Sequence, residues 1–185
     1  MISKICIILI STLSAVASRG LYPLFMQCDP IWAADLLGFS DKRTICQSGC
    51  LLSSLAMVVN DCQILLPTTE GSDPIAANPA SLNKWLQANN GYEDVYGFKW
   101  NATAPLGLVF EKFSRDMEEL FDAYDMGKRI FLHVRNNNHY VLMTGYGRGA
   151  KKGDEVFFVN DPNYDTVYYP QIEVLKGDAA IHRVE

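Results

Sequence analysis

A twelve-residue apolar run in the first third of the chain constrains the fold most strongly. Residues 50–61 read CLLSSLAMVVND, which corresponds to about three helical turns with almost no charge. A surface helix has one apolar stripe and one polar face, whereas this run is apolar nearly all the way round. We therefore predict a central helix that other elements bury on most sides.

Capping residues and periodicity predict two further helices. Asn78 and Pro79 suit the N-cap and first position of a helix that ends at Asn89. A third helix is predicted over residues 116–126. Residues 63–80 are rich in Pro and polar side chains, so we expect a loop or insertion there.

The last third of the chain changes to strand patterns. β-Branched and aromatic runs alternate with turn-forming Asn, Asp, Gly and Pro. The predicted strands are 129–135, 139–146, 155–160, 166–169 and 180–184. Helices followed by an antiparallel sheet make an α+β arrangement. With 185 residues, of which 49% are apolar, the chain can form one domain with its own core.

The N-terminus has the features of a secretory signal peptide. Lys4 precedes an apolar stretch that ends in small residues at 15–17. We expect residues 1–18 to be the signal peptide and residues 19–185 to be a single domain. The apolar stretch is shorter than the roughly 20 residues that span a bilayer. The expected product is secreted or extracytoplasmic and leaves the membrane after cleavage.

The charge of the chain excludes two kinds of partner. Sixteen Lys and Arg against 21 Asp and Glu give a net charge of -5. The basic residues are scattered, so we expect no nucleic-acid partner and no binding to an anionic membrane. We expect a monomer.

Four cysteines remain once Cys6 leaves with the signal peptide. They are Cys28, Cys46, Cys50 and Cys62. An even number in an oxidising compartment suggests two disulfides, and three pairings are possible. If one thiol is a nucleophile, one of the others stays unpaired, most simply as a buried residue. The spacing of Cys and His does not suit zinc, and no cofactor is expected.

Three residues could together carry thiol chemistry. Cys50 begins the predicted core helix, where backbone N–H groups favour a thiolate and can receive an oxyanion. His139 begins a predicted strand, and Asp161 ends the following strand. If these strands form a hairpin, the carboxylate lies near the imidazole. A nucleophile, a base and an orienting carboxylate are what thiol acyl transfer requires.

Each candidate residue also has a structural interpretation. A cysteine in an apolar helix is more often disulfide-bonded or inertly buried, and Asp-Pro usually forms a turn. We expect His133 to be a satisfied residue of the sheet and His182 to face solvent. Four aromatic residues either fill the core or line a substrate groove. They are Trp85, Tyr92, Phe98 and Trp100.

The motifs around these residues resemble those of papain-like cysteine peptidases. The nearest branch is the bacteriocin-processing, or double-glycine leader, peptidases with their secreted relatives. The segments QCDPIW at 27–32 and TICQSGCLLSSLAMVVN at 44–60 resemble the family's Cys box. The segments HYVLMTGY at 139–146 and NDP at 160–162 resemble its His and Asp boxes. The resemblance covers about residues 27–170.

The resemblance implies a papain-like cysteine peptidase fold, with N-terminal helices around a buried central helix that packs on a C-terminal antiparallel sheet. It implies that Cys50 is the nucleophile, that His139 is the base and later the acid, and that Asp161 orients His139. The family usually has a Gln a few residues before its nucleophile. Here we expect Gln27, folded back beside Cys50, to stabilise the oxyanion in preference to Gln47.

We therefore expect a secreted cysteine peptidase that hydrolyses peptide bonds of a peptide or protein substrate through a thioester acyl-enzyme. Two alternatives stay open. A cell-wall peptide amidase would use the same chemistry. An inactive papain-like binding or structural module would instead hold Cys50 in a disulfide. Under the peptidase hypothesis, we expect a Cys28–Cys46 disulfide and a buried Cys62.

Overall fold

The computed structural model describes residues 17–18, 22–68 and 73–185. Residues 1–16, and with them almost all of the expected signal peptide, lie outside this description. Ala17 and Ser18, at the expected cleavage point, pair with Tyr146 and Gly145 of the main sheet. Within the described residues, no helix combines the length and the apolar character that crossing a membrane requires.

Helices dominate the first half of the described chain and strands dominate the second. The described helices are α1 (Ile45–Ser48), α2 (Cys50–Asp61), α3 (Pro79–Ala88), α4 (Met117–Asp125) and α5 (Gln171–Val174), with a 3₁₀ turn at Ala104–Leu106. The described strands are β1 (Ala17–Ser18), β2 (Leu65–Leu66), β3 (Ile75–Ala76), β4 (Tyr92–Glu93), β5 (Gly97–Phe98), β6 (Leu108–Ser114), β7 (Arg129–Val134), β8 (His139–Gly147), β9 (Val156–Asn160), β10 (Tyr168–Pro170) and β11 (Ala179–Val184).

The main sheet is antiparallel, with the strand order β10-β9-β8-β7-β11-β6 and with β1 added beside β8. Two small hairpins, β2–β3 and β4–β5, lie outside this sheet. The combination of helices with an antiparallel sheet confirms the predicted α+β class.

Helix α2 is the buried central helix that its apolar sequence predicts. Every residue from Leu52 to Val59 is buried, and the helix packs against β8 and α3. Helix α3 has the predicted N-cap Asn78, whose side chain accepts a 2.9 Å hydrogen bond from the Ser81 backbone N–H. This cap satisfies one of the backbone donors that a helix start leaves free.

The sheet separates two apolar cores. Phe131 and Leu142 pack in the core that contains α2, whereas Ile130 and Val141 pack with α4 on the opposite face. Successive side chains of a strand point to opposite faces, so one sheet can support both layers. The prediction places helices around α2 on one face of the sheet, and it does not include the second core, which contains α4 on the other face.

The structure contains elements that were not predicted, among them α1, α5, the β2–β3 and β4–β5 hairpins and β6. The sequence pattern does not predict β6, because Glu111 and Lys112 interrupt its apolar alternation at the centre of the strand. In the structure, the Glu111 carboxylate forms an ion pair with Lys128 at 2.6 Å, so its charge has a partner within the fold. The predicted loop at 63–80 contains the β2–β3 hairpin, although residues 69–72 lie outside the described residues.

The prediction for His182 is wrong, since its side chain is fully buried and does not face solvent. The ring lies in β11 against the aromatic rings of Trp100, Phe110 and Phe131. Neither ring nitrogen has a hydrogen-bond partner among the described residues. Burial lowers the pKa of His182 to about 4, although the backbone groups of Trp100 and Ala180 nearby favour the protonated ring. The fold therefore holds this histidine neutral.

The free energy of unfolding should fall by about 3 kcal/mol as the pH drops from 6.5 to 4, because each unit of pKa difference corresponds to about 1.4 kcal/mol. The pKa of His182 is near 6.5 in the unfolded chain and about 4 in the fold. The unfolded chain therefore binds this proton first, and the stability present above pH 6.5 is lost on acidification.

Urea unfolding of wild type and His182→Phe at several pH values measures this effect. We expect the variant to match or exceed the wild-type stability at pH 7 and to lose less stability on going to pH 4. Carboxylates titrate in both proteins, so the difference between the two proteins isolates His182. Equal losses in wild type and variant would assign the acid sensitivity to other groups.

Candidate active site

The start of α2 fixes the position of Cys50. Helix α1 ends at Ser48, and a Cβ added to the following Gly49 would lie 2.5 Å from the carbonyl oxygen of Ile45. The absence of a side chain at Gly49 therefore allows α1 to run directly into α2. Cys50 is the first residue of α2, and the first N–H groups of a helix lack partners within that helix. These donors and the positive end of the helix dipole lie at the residue that bears the thiol.

The structure contains the disulfide expected under the peptidase hypothesis. Cys28 and Cys46 are joined with an S–S distance of 2.01 Å, and Cys50 and Cys62 are free thiols. Cys62 is partly exposed and not buried as expected, because it lies just beyond the end of α2. A disulfide at Cys50, which the inactive-module hypothesis expects, is not observed in the described residues.

The β8–β9 hairpin brings His139 and Asp161 together. His139 begins β8, and Asp161 directly follows the last residue of β9. Leu142 pairs with Asn160, so the two ends lie side by side. The Nε2 atom of His139 lies 2.6 Å from Oδ1 of Asp161. Both side chains are buried, with 6% and 0% of their surfaces exposed.

Cys50 is the third member of this cluster. It lies close enough to His139 to raise the pKa of the imidazole, and Nδ1 is the ring nitrogen that Asp161 leaves available. The backbone N–H of Tyr140 also points to the sulfur, at 3.5 Å. The structure thus brings the three residues together in the order Cys50, His139, Asp161.

Burial and hydrogen bonding shift the pKa values of His139 and Asp161 in opposite directions. Burial alone lowers the pKa of His139, but hydrogen bonds to Asp161 and Cys50 outweigh it and raise the pKa to about 9. Burial raises the pKa of Asp161, yet hydrogen bonds from His139, Asn163 and Tyr169 lower it below its ordinary value. At neutral pH the pair is therefore an imidazolium beside a carboxylate.

Asp161 is fixed by more partners than the sequence indicates. Its Oδ1 accepts hydrogen bonds from the backbone N–H groups of Asn163 and Tyr164, at 2.9 and 3.0 Å. Its Oδ2 accepts a 2.7 Å hydrogen bond from the hydroxyl of Tyr169. That hydroxyl in turn accepts a 3.0 Å hydrogen bond from Nε of Arg135.

Sequence reasoning missed Tyr169 and Arg135. Tyr169 lies in a run of strand-forming aromatic residues. Such a run has the same pattern whether its residues only pack in the sheet or also contact the site. Arg135 begins a turn in which residues 135–137 all have φ between 53° and 62°, a region that L-residues other than Asn and Asp rarely adopt. The Asn-rich run 136–138 is the signal that could have drawn attention to this turn.

Gln27 and Gln47 occupy different positions near Cys50. Gln27 is buried, and its Nε2 donates a 2.5 Å hydrogen bond to the carbonyl oxygen of Cys46. A side-chain amide has two N–H groups, so one donor remains on this nitrogen. Gln47 is exposed, and its Oε1 accepts a hydrogen bond from the Thr44 backbone N–H at the start of α1.

Two cavities meet at Cys50 and Ser48. The larger, of about 480 Å³, is polar and is also bordered by Gln27, Gln47, Arg135, Asn138, His139, Asn163 and Tyr164. The smaller, of about 220 Å³, is apolar and is bordered by Leu37, Leu51, Leu52, Tyr92, Tyr96, Phe98 and Tyr140. An extended chain lying across Cys50 would therefore meet a polar wall on one side and an apolar wall on the other.

Of the four aromatic residues that could fill the core or line a substrate groove, two border the apolar cavity and two pack elsewhere. Tyr92 and Phe98 border the apolar cavity. Trp85 is buried in the core that contains α2, and Trp100 packs against Phe98 and other aromatic rings. His133 stacks on Tyr140 with ring centroids 4.0 Å apart, and burial lowers its pKa.

Within the described residues, no cluster of three His, Cys, Asp or Glu side chains could hold a metal ion.

Residues 22–178 match the model of the Peptidase_C39 like family. No curated protein and no solved structure matches the chain. The family match spans most of the chain and includes Gln27, Cys50, His139 and Asp161. This protein belongs to the Peptidase_C39 like family.

Proposed function

We propose that this protein is a cysteine peptidase of papain-like fold that hydrolyses peptide bonds through Cys50, His139 and Asp161. One observation carries the proposal. A free thiol at the start of a buried helix borders the same cavity as an imidazole whose Nε2 lies 2.6 Å from a buried carboxylate. Membership of a family of peptidase-like proteins supports the same chemistry.

The first half of the reaction forms a thioester. The Cys50 thiolate attacks the carbonyl carbon, and the carbonyl oxygen becomes an oxyanion that N–H groups at the start of α2 stabilise. The free N–H of Gln27 is a second donor for this oxyanion. Protonated His139 then gives its proton to the leaving amine, the C–N bond breaks, and an acyl group stays on the sulfur.

The second half of the reaction hydrolyses the thioester. Neutral His139 takes a proton from water, and the resulting hydroxide attacks the thioester carbonyl. The C–S bond breaks, which releases a carboxylic acid and returns the sulfur as a thiolate beside imidazolium. Asp161 stabilises the positive ring in both halves and holds its orientation.

We also propose that the protein acts outside the cytoplasm on a peptide or protein substrate, as a monomer without nucleic-acid or membrane partners. The Cys28–Cys46 disulfide supports the location, because disulfides persist mainly in oxidising compartments. The signal peptide at 1–18 and the single domain at 19–185 stay predictions from the sequence.

Alkylation by iodoacetamide tests whether His139 activates Cys50. The measurement uses a Cys62→Ala background, in which Cys50 is the only free thiol of the described residues. At pH 6 an ordinary thiol with a pKa near 8.5 is less than about 1% thiolate. We expect Cys50 to react at least about tenfold faster than such a thiol, and His139→Gln to remove this advantage.

Circular dichroism checks that the His139→Gln protein is folded, and mass spectrometry identifies the alkylated residue. Equal rates with and without His139 would reject activation by the imidazole. Mass spectrometry showing Cys50 in a disulfide in the untreated protein would reject the proposed mechanism altogether.

A further inference from the structure

We propose that Arg135 binds a carboxylate of the substrate on the leaving-group side of the scissile bond. This inference rests on the proposed function and adds a substrate class to it. Peptides with an acidic group shortly after the cleaved bond would be preferred. Such a group is either the side chain of Asp or Glu or the free carboxyl terminus of a short leaving segment.

The position of His139 identifies the leaving-group side. The amine that leaves must receive its proton from the imidazole, so the residues after the scissile bond lie on the side of Cys50 where His139 is exposed to the cavity. His139 borders the polar cavity and does not border the apolar one. The leaving segment therefore extends into the polar cavity.

Arg135 is the permanently charged residue in the lining of this cavity. The other lining residues are amide, hydroxyl or thiol side chains together with the catalytic imidazole. Arg129 and Arg148 pair with Asp61 and Glu118, whereas Arg135 has no carboxylate in ion-pair contact within the described residues. An unpaired guanidinium beside a polar cavity is suited to bind a carboxylate through two parallel N–H donors.

The guanidinium group is held in place by contacts that leave its two terminal nitrogens available. Its Nε donates to the Tyr169 hydroxyl at 3.0 Å, and its carbon lies 3.6 Å from the ring centroid of Tyr164. The backbone N–H of Arg135 donates to Glu173 at 3.0 Å. No hydrogen bond from Nη1 or Nη2 of Arg135 is found within the described residues. Because the group is already ordered, binding an anion costs little conformational entropy.

The distance to the reacting atoms limits where the acidic group can be. The Tyr164 ring contacts both groups, with its centroid 3.6 Å from the guanidinium carbon and 5.3 Å from the imidazole centroid. The guanidinium carbon is therefore no farther from the imidazole than these two distances combined. An extended chain advances about 3.3 to 3.6 Å per residue, so the acidic group belongs to one of the first two or three residues after the cut.

A defined peptide library tests the preference. Its members differ only in the three residues after the potential cleavage sites, where Asp and Glu are compared with Asn and Gln. One set has amidated carboxyl termini and the other has free termini one to three residues after the site. The two sets distinguish a side-chain carboxylate from a terminal one. Mass spectrometry of the products gives the relative kcat/KM of each sequence.

We expect wild type to cleave the acidic members about 10- to 100-fold faster than their neutral partners, the size of one charge-assisted contact. Arg135→Gln should reduce this ratio to below about threefold. Arg135→Lys should keep part of the ratio, because it retains the charge and loses the bidentate geometry. Added salt should lower the wild-type ratio, since the guanidinium is partly exposed.

Tyr169→Phe is the matched control, because Arg135 also supports Asp161 through Tyr169. This variant breaks that link and keeps the guanidinium charge in the cavity. We expect it to slow all members of the library by similar factors and to preserve the acidic-to-neutral ratio. If Arg135→Gln slows all members alike and preserves the ratio, as Tyr169→Phe is expected to do, Arg135 is a positioning residue and the inference is rejected.

Failure of the inference and failure of the proposed function give different results. Cleavage of neutral and acidic members at equal rates would reject the anionic preference and leave the peptidase intact. No cleavage of any member, together with alkylation of Cys50 at the rate of an ordinary thiol, would reject the peptidase and the inference with it.

Discussion

We expect the Cys50→Ala variant to lose peptide hydrolysis almost completely, with kcat reduced at least about 1,000-fold. The attacking sulfur forms the covalent bond to the acyl group, and Cys62, the other free thiol of the described residues, does not border the cavity that contains His139. Rapid-quench mass spectrometry should detect an acyl group on Cys50 in wild type and none on the variant.

Cys62→Ala is the matched control for this experiment. Cys62 is the other free thiol of the described residues, and it lies at the opposite end of α2 from Cys50. The control should retain wild-type kcat and KM, because it loses a thiol without changing the site. Hydrolysis by Cys50→Ala within tenfold of wild type would show that another group performs the reaction.

The central helix and the proximity of Cys50, His139 and Asp161 could be predicted because their signals are local. An apolar run fixes α2, and Cys50 is at its first turn. Strand-forming residues and turns define β8 and β9, and the ends of a hairpin necessarily meet. Each of these inferences needs only short segments of sequence.

The remaining features depend on contacts between distant segments. Burial of His182 follows from aromatic neighbours in β6, β7 and the Trp100 loop, which the strand pattern of β11 does not reveal. The link from Arg135 through Tyr169 to Asp161 likewise joins three separate loops and strands. Local patterns contain no information on which surfaces these residues meet.

The disulfide explains how a glutamine far from Cys50 in sequence reaches the site. Cys28 follows Gln27 directly, and its bond to Cys46 holds this segment against α1. The Gln27 amide then donates to the carbonyl oxygen of the same Cys46, four residues before the proposed nucleophile. Residues 28–49 can therefore separate Gln27 and Cys50 in sequence without moving the glutamine away from the site.

Removal of the Asp161 side chain should have the second largest effect on activity. We expect Asp161→Ala to lower kcat/KM roughly 10²- to 10⁴-fold, because the imidazole loses both its orientation and its stabilising charge. Asp165→Ala is a matched control, since Asp165 is an exposed carboxylate in the same loop. The control should keep wild-type activity.

Asp161→Asn separates the charge of this residue from its packing. The buried carboxylate accepts four hydrogen bonds, so truncation to alanine could also disturb the loop. Asparagine keeps the size and an acceptor oxygen while it removes the negative charge. We expect this variant to fold like wild type and to lose less activity than Asp161→Ala.

The pH profile of Asp161→Asn then tests the electrostatic role directly. Hydrogen bonds to Asp161 and Cys50 raise the pKa of His139 to about 9 against the effect of burial, so wild type should keep the proton donor up to that pH. Without the carboxylate, burial lowers this pKa, and the alkaline limb of kcat/KM should move at least about one pH unit toward neutrality. The stability that protonated His139 contributes is present below pH 6.5 and is lost as the pH rises through 9 in wild type, so the variant should lose this dependence as well. An unchanged alkaline limb would mean that Asp161 only packs beside the imidazole and does not set its charge.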